Sequence, residues 1–202
     1  MSNTYKAIIV IFFILVIDQI TKILVKTNMT LGESIPVFGE WFYIRFIENP
    51  GMAFGIDLPG RFGKLILSLF RIIAVGLIGY YIFGLIKKNA PTGLVICLSM
   101  ILAGALGNII DSAVYGVLFT ESTYSHVAEF NSEQGGYAPV LYGQVVDMLY
   151  FPLFEGNYPD WLPWKGGKQF IFFRPIFNIA DSSITTGVLT ILVFQKRYFK
   201  NL

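Results

Sequence analysis

Four long apolar runs constrain this chain more than any other feature. They cover residues 7–25, 65–86, 93–115 and 176–194, and a helix needs about 20 such residues to cross a bilayer. Of the 202 residues, 54% are hydrophobic and 14% are charged, a balance too apolar for an ordinary soluble domain. The sequence therefore predicts a membrane protein, mainly α-helical, with four transmembrane helices in a single integral membrane domain over residues 1–202.

The first run has a rival interpretation as a cleavable signal peptide. No small-x-small cleavage site follows it, and Asp18 and Lys22 interrupt its apolar core. These two residues are four positions apart with the acid first, which is the favourable order for an ion pair on one helix face. We therefore interpret the run as a transmembrane helix whose acid and base neutralise each other near its outer end.

The positive charges beside the runs predict the orientation of the chain. Short basic flanks are retained in the cytoplasm, and in a four-helix arrangement these charges all fall on one side. Both termini are therefore expected in the cytoplasm, and segments 27–63 and 116–175 on the outer side. The charges concerned are Lys6, Lys87, Lys88, Lys196, Arg197 and Lys200.

The first outer segment has the composition of a β-strand. Residues 41–47 read WFYIRFI, which combines residue types favoured in strands with bulky side chains suited to the membrane surface. We expect a small extracytoplasmic β-sheet lying on the membrane. In the second outer segment, Trp161 and Trp164 are expected to anchor the chain at the membrane interface.

Composition also bears on cofactors and partners. The single cysteine, Cys97, cannot form an internal disulfide, and together with the single histidine, His126, it argues against a zinc site. The formal net charge of +2 comes from Lys and Arg residues beside apolar runs, not from a basic stripe. No metal, no cofactor and no nucleic-acid partner are therefore predicted.

Polar residues recur at helical spacing toward the outer ends of the third and fourth runs. An ionisable residue at a membrane helix is costly and marks a functional site by default. We expect the two polar faces to meet at one depth, because residues three, four and seven apart share a helix face. The residues are Asn108, Asp111 and Ser112 on the third helix, and Asn178, Asp181, Ser182 and Thr185 on the fourth.

A further acid, Asp147, follows a β-branched segment in the second outer region. If it lies over the two polar faces, Asp147 and Asp181 form a carboxyl pair that shares a proton at low dielectric. Such a pair can activate water for attack on a peptide carbonyl. The same residues equally fit a structural network between helices, or a relay in a small proton-coupled membrane transporter.

Five sequence blocks, in this order, resemble the lipoprotein signal peptidase (signal peptidase II) family of membrane aspartyl proteases. They read DQITK at 18–22, NPGMAF at 49–54, GALGNIID at 104–111, VVD at 145–147 and FNIAD at 177–181. They extend over nearly the whole chain. The resemblance implies an aspartic endopeptidase of the bacterial cell inner membrane, with its active site near the outer leaflet.

The resemblance also implies the substrate and the roles of individual residues. The substrate would be a prolipoprotein, cut just before a cysteine that already carries diacylglycerol. Besides this substrate we expect membrane lipids as partners, and a monomeric protein. Asp147 and Asp181 would be the catalytic pair. The residues that would bind substrate or support the site are Asn49, Gly51, Gly104, Asn108, Asp111, Asn178, Asp18 and Lys22.

Two departures from the family pattern stand out. Ser112 follows Asp111 where the family usually has arginine, so the expected positive charge is absent, and Arg174 is one candidate to replace it. The connection from Asp111 to Asp147 is also much longer than the family's, and its extra sequence lies at about 116–144. It could be a lid or a partner site, but we favour a tolerated surface insertion, because long loops add little closure entropy.

Overall fold

The computed structural model describes residues 1–50, 60–130, 135–164 and 166–200. Its long helices are α1 (Asn3–Asn28), α2 (Gly60–Lys87) and α3 (Thr92–Ile110). A π-helical turn (Asp111–Tyr115) and the short α4 (Gly116–Leu118) extend α3. Within the described ranges, three helical stretches are long and apolar enough to cross a membrane: Asn3–Asn28, Gly63–Lys87 and Thr92–Leu118.

The fourth apolar run begins differently from the expectation. Ile176–Phe177 forms a strand instead of the first helical turn, Asn178 is the N-cap, and helix α5 covers Ile179–Val193 before the short α6 (Gln195–Tyr198). The helix starts late because the Asn178 side chain accepts the hydrogen bond that a free first-turn N–H offers. At 15 residues α5 is about 22 Å long, shorter than a ~30 Å hydrocarbon core.

The predicted small sheet is present and antiparallel. It contains β1 (Ser34–Phe38), β2 (Phe42–Asn49), β3 (Val145–Tyr150) and β6 (Ile176–Phe177) in the order β1-β2-β3-β6. The strand-like segment at 41–47 therefore forms most of β2. A separate pair is formed by β4 (Phe154–Asn157) and β5 (Gln169–Phe172).

The two faces of β3 have different tasks, because successive side chains of a strand point to opposite sides. Val146 and Met148 are buried in an apolar core on one face, and Asp147 points to the other. In the β2–β3 register, Glu48 pairs with Val146 and Asn49 with Val145. Asn49 therefore shares the face of Asp147, whereas Glu48 points toward the core. That core also contains Val25, Met29, Phe46, Tyr115, Phe119 and Ala128.

The outer surface of the helices is apolar. On α1, Ile8, Phe12 and Phe13 are all more than half exposed, and on α2 so are Phe70 and Leu77. Exposed apolar area on this scale is unusual for a soluble monomer and is satisfied by lipid. The polar side chains Asp18, Lys22, Asn108 and Asp111 are instead buried on the inner faces of the helices.

Candidate active site

Asp147 is held at both carboxylate oxygens by asparagine side chains. Asn178 Nδ2 donates to Oδ1 at 2.7 Å, and Asn49 Nδ2 donates to Oδ2 at 3.2 Å. Asp147 is only 4% exposed, although it is on the strand face that does not contribute to the apolar core. The two amides therefore replace much of the water that the carboxyl loses.

The pKa of the Asp147 carboxyl is raised to about 7. Burial is the largest cause, because it removes hydration from the charged form, and the negative charge of Asp181 acts in the same direction. The hydrogen bonds from Asn49 and Asn178 and the charge of Lys22 favour the ionised form and limit the increase in pKa. Asp147 therefore exchanges its proton in the neutral range.

Asp181 lies in the first turn of α5 and forms a capping box with Asn178. Asp181 N donates to Asn178 Oδ1 at 2.9 Å, and Asn178 N donates to Asp181 Oδ2 at 3.4 Å. The other carboxylate oxygen of Asp181 accepts from Asn108 Nδ2 at 2.9 Å. One side chain, that of Asn178, thus binds Asp147 and also fixes the helical turn that carries Asp181.

Lys22 is the centre of a second, fully buried group of charges. Its Nζ donates to Asp111 Oδ2 at 2.8 Å, to Asp18 Oδ2 at 2.9 Å and to Asn108 Oδ1 at 2.9 Å. An ammonium has three donors, so each one has a partner. Full pairing matters here, because an unpaired buried charge is strongly destabilising. The ion pair predicted between Asp18 and Lys22 is present.

Asn108 and Asp111 connect this group to the acids of the sheet and of α5. Asn108 Oδ1 also accepts from Asn178 Nδ2 at 3.2 Å, and Asp111 Oδ2 accepts from the Val146 backbone N–H at 3.2 Å. Side chains from α1, from α3 and its π-helical extension, from β2 and β3, and from the start of α5 therefore form one continuous network. It contains these predicted residues: Asp18, Lys22, Asn49, Asn108, Asp111, Asp147, Asn178 and Asp181.

The remaining two predicted residues are placed differently. Gly104 contacts no acid; a Cβ there would lie 2.2 Å from the Ala180 carbonyl oxygen, so its task is the close approach of α3 to α5. Gly51 lies outside the described residues. Gly107, one turn along from Gly104, contacts the network directly, because a Cβ there would lie 2.5 Å from Asp18 Oδ2.

Gln19 was not assigned a task from the sequence, yet it is an integral part of the network. Its Nε2 donates to Asp111 Oδ1 at 3.0 Å and to Asp18 Oδ2 at 3.1 Å, and its Oε1 accepts from Tyr115 OH at 3.1 Å. An amide can bridge acids and a hydroxyl in this way because it is both donor and acceptor. In the sequence, the position of Gln19 next to Asp18 was the signal that could have indicated this role.

Further positive charges near the acids come from arginines outside α3. Ser112 Oγ donates to the Asn108 carbonyl at 3.1 Å and carries no charge. Arg71, on the inner face of α2, lies close enough to interact electrostatically with Asp181, Asp111 and Asp147. Arg174, the candidate from the sequence, is exposed and lines a cavity that contains Asp147. Two arginines therefore lie near the acids, and neither is on α3.

Comparison with known proteins places this chain in a family. The family model described as signal peptidase (SPase) II matches residues 10–196. This chain belongs to the signal peptidase II family. It is similar to the lipoprotein signal peptidase of Porphyromonas gingivalis, with 50% identity over 93% of this chain and 81% of the relative. It is also similar to the lipoprotein signal peptidase of Amoebophilus asiaticus, with 41% identity over 90% and 73%.

Solved structures of bacterial membrane enzymes have the same fold. Two of them, determined by the in meso method at 2.3 and 1.9 Å resolution, align with TM-scores of 0.62 and 0.60. Their sequences are 27% and 28% identical to this chain, and each alignment covers 97% of it and 91% or 94% of the solved chain. The family match and the named relatives confirm the sequence resemblance to signal peptidase II.

The candidate site opens into a cavity of about 660 Å³. Asp147 lies on its wall together with Asn49 at the end of β2. This volume lies within the range of ligand-binding pockets. Its other walls include Arg45, Tyr150, Arg174 and Ile176.

Proposed function

We propose that this chain is a membrane aspartic endopeptidase of the signal peptidase II type. It removes the signal peptide from diacylglyceryl-modified prolipoproteins and cuts before the lipidated cysteine. Family membership supports the reaction class, and the two relatives carry the name lipoprotein signal peptidase. The substrate's lipid anchor would keep the scissile bond at the depth of the headgroups.

The observation that carries this proposal is the pairing of Asp147 and Asp181 around Asn178. The charge of Asp181 contributes to the pKa of about 7 at Asp147, so Asp147 exchanges a proton at neutral pH beside a second acid. Asn178 holds both, by a side-chain bond to Asp147 and by the capping box with Asp181. A carboxyl with a pKa near neutrality beside a cavity favours a functional site over a purely structural network.

In the proposed mechanism the ionised carboxyl takes a proton from water as the water attacks the scissile carbonyl. The protonated carboxyl donates a hydrogen bond to the developing oxyanion, and its proton then goes to the leaving amine. Asn49 and Asn108 each donate to one carboxyl and keep it aimed at the reacting atoms. Acid and base are both carboxyls of this chain, and the proposed reaction uses no metal and no cofactor.

The buried charges of Lys22, Asp18 and Asp111 support this pair without taking part in proton transfer. Lys22 fixes Asn108, which donates to Asp181, and Asp18 Oδ1 accepts from the Ala180 N–H at 2.9 Å. Asp111 accepts from the N–H of Val146, the residue before Asp147. Each acid of the pair is thereby anchored to α1 and α3.

For the membrane arrangement we propose four spans, α1, α2, α3 and α5, in the bacterial cell inner membrane. The basic flanks favour cytoplasmic termini, which puts the sheet and the acids near the outer leaflet. Exposed aromatic side chains at that end, Phe38 at 60% and Trp164 at 93%, suit a membrane interface. We also propose that the protein acts as a monomer, with lipids and its lipidated substrate as its partners.

The test is cleavage of a purified, diacylglyceryl-modified precursor by the purified protein in detergent. We expect one cut, with the lipidated cysteine as the new N-terminus by mass spectrometry, and full activity in excess EDTA. A precursor with serine in place of that cysteine is the matched control and should remain intact. Equal cleavage of both precursors, inhibition by EDTA, or proton-coupled solute flux without cleavage would contradict the proposal.

A further inference from the structure

Part of the long segment between α4 and β3 packs against the rest of the protein. Phe119, Ser122 and Ala128 are 1%, 4% and 3% exposed, and two of them belong to the core under the sheet. The Leu31 N–H, just after α1, donates to the Thr123 carbonyl at 2.9 Å. The expectation of a tolerated surface insertion is therefore wrong for this part of the segment.

The same segment closes over a buried ion pair between Lys26 of α1 and Glu48 of β2. The Lys26 side chain is 0% exposed and that of Glu48 is 4% exposed. Ser122 Oγ accepts from Lys26 Nζ at 2.9 Å and donates to Glu48 Oε1 at 3.0 Å. The ammonium also lies over the rings of Tyr137 at 4.9 Å and Phe119 at 5.5 Å, which is cation–π geometry.

Glu48 is the residue before Asn49, and the two side chains point to opposite faces of β2. On one face Glu48 reaches Lys26 and Ser122, and on the other Asn49 Nδ2 donates to Asp147 Oδ2 at 3.2 Å. Contacts that fix the Glu48 side chain therefore also fix the position and orientation of the end of β2 that carries Asn49. The hydroxyl of Ser122 bridges the two charges, and a buried ion pair offsets its desolvation only when additional hydrogen bonds of this kind are present.

We propose that Ser122 is a positioning residue for the acid pair: through the Lys26–Glu48 ion pair it holds the end of β2, so that Asn49 keeps its hydrogen bond to Asp147. This inference rests on the proposed function, because positioning matters for turnover only if Asp147 is catalytic. It assigns a task to the segment in which this chain departs from the family pattern. The ring contacts from Phe119 and Tyr137 contribute to the same task by excluding water from the ion pair.

The first experiment compares Ser122→Ala with Ser125→Ala, a matched change at an exposed serine of the same segment. We expect Ser122→Ala to lower kcat about 3- to 10-fold with KM within about twofold, because a looser Asn49 misaligns the acid without altering the cavity. The pH–rate profile should also move to higher pH, because the Asn49 bond favours the ionised form of Asp147. The other charged groups acting on Asp147, namely Asp181, Lys22 and Arg71, are unchanged in this variant.

The second experiment is a double-mutant cycle with Asn49→Ala. If Ser122 acts through Asn49, Ser122→Ala added to Asn49→Ala causes no further loss of kcat. Effects that multiply would overturn the proposal, and so would a Ser122→Ala protein with a lower unfolding temperature but a wild-type kcat and pH profile. If Ser122→Ala does not fold, Ser122→Cys, which keeps a weak donor of similar size, undergoes the same cycle.

Failure of this inference is distinguishable from failure of the proposed function. Asp147→Asn tests the proposed function. Wild-type cleavage by that variant would show that Asp147 and Asp181 are not a catalytic pair, whatever the result for Ser122→Ala. Loss of cleavage in Asp147→Asn together with a wild-type Ser122→Ala overturns only the positioning role.

Discussion

Asn178 and Asp147 are joined by a hydrogen bond of 2.7 Å from Nδ2 to Oδ1. The bond links the last residue before α5 to the middle of β3, so a helix and a strand from distant parts of the sequence share one acid site. Because Asn178 is also the N-cap of α5, the stability of that helix and the geometry of the site are not independent.

Asn178→Ala should remove the contact to Asp147 and the capping box together. Loss of an N-cap costs about 1 kcal/mol of stability, whereas loss of the aligned amide should lower kcat by at least about tenfold. Cleavage rate and thermal unfolding in detergent measure the two effects. Asn28→Ala, at an exposed asparagine, is the matched control and should change neither. A wild-type kcat for Asn178→Ala would show that this amide does not position the acids.

Lys22→Met should destabilise the protein, because it leaves Asp18 and Asp111 buried without their cation. Removing one partner of a buried ion pair typically costs about 3–5 kcal/mol. The unfolding midpoint in detergent should therefore fall steeply. Lys88→Met, at an exposed lysine, should leave it within a degree or two. Equal midpoints for the two variants would contradict the structural importance assigned to the buried charges.

Gly107→Ala should disturb the network by steric overlap alone. The added Cβ would lie 2.5 Å from Asp18 Oδ2, and overpacking of this kind typically costs about 1–3 kcal/mol. Gly79→Ala on α2 is the control, since its Cβ would meet no atom within 4 Å. We expect lower stability and slower cleavage for Gly107→Ala only. A Gly107→Ala protein as stable as Gly79→Ala would mean that α1 and α3 are further apart than described.

Arg71→Gln should move the pH–rate profile to higher pH. Arg71 interacts with the charges of Asp181, Asp111 and Asp147, and loss of a nearby positive charge disfavours ionised carboxyls. The pKa of Asp147, already raised to about 7, would therefore rise further, and less of the ionised base would be present at neutral pH. Arg71→Lys should restore the profile in part, and Arg197→Gln, at an exposed site, should not shift it. An unshifted pH–rate profile for Arg71→Gln would show that Arg71 does not supply the positive charge that acts on the acids.

Much of this site follows from the sequence because its members have local signatures. The spacing of Asp18 and Lys22 predicts their ion pair, and an acid at the edge of an apolar run predicts function for Asp181. The long-range contacts have no such signature. Arg71 comes to the acids through the packing of α2, and Gln19 bridges Asp18 and Asp111 only because α1 and α3 approach at Gly107.

The two structural differences from expectation have the same origin. The spacing of Asn178 predicts that it lies on a helical face. Because Ile176–Phe177 pairs with β3, however, Asn178 is the N-cap of α5. The polar composition of the segment after α4 indicates a solvated loop, whereas Ser122 is buried because Lys26 and Glu48 require its hydroxyl. In both cases a tertiary contact overrides the local pattern.

The most direct test of the acid pair is the single-turnover cleavage rate of Asp147→Asn and Asp181→Asn on the lipidated precursor. Asp160→Asn, at an exposed acid, serves as the matched control. Asp147→Asn and Asp181→Asn should each lower the rate by about 10²- to 10⁴-fold, the range for loss of a general acid or base, while the protein remains folded in detergent. Asp160→Asn should cleave at the wild-type rate. Wild-type cleavage by either Asp147→Asn or Asp181→Asn would contradict the paired-acid account.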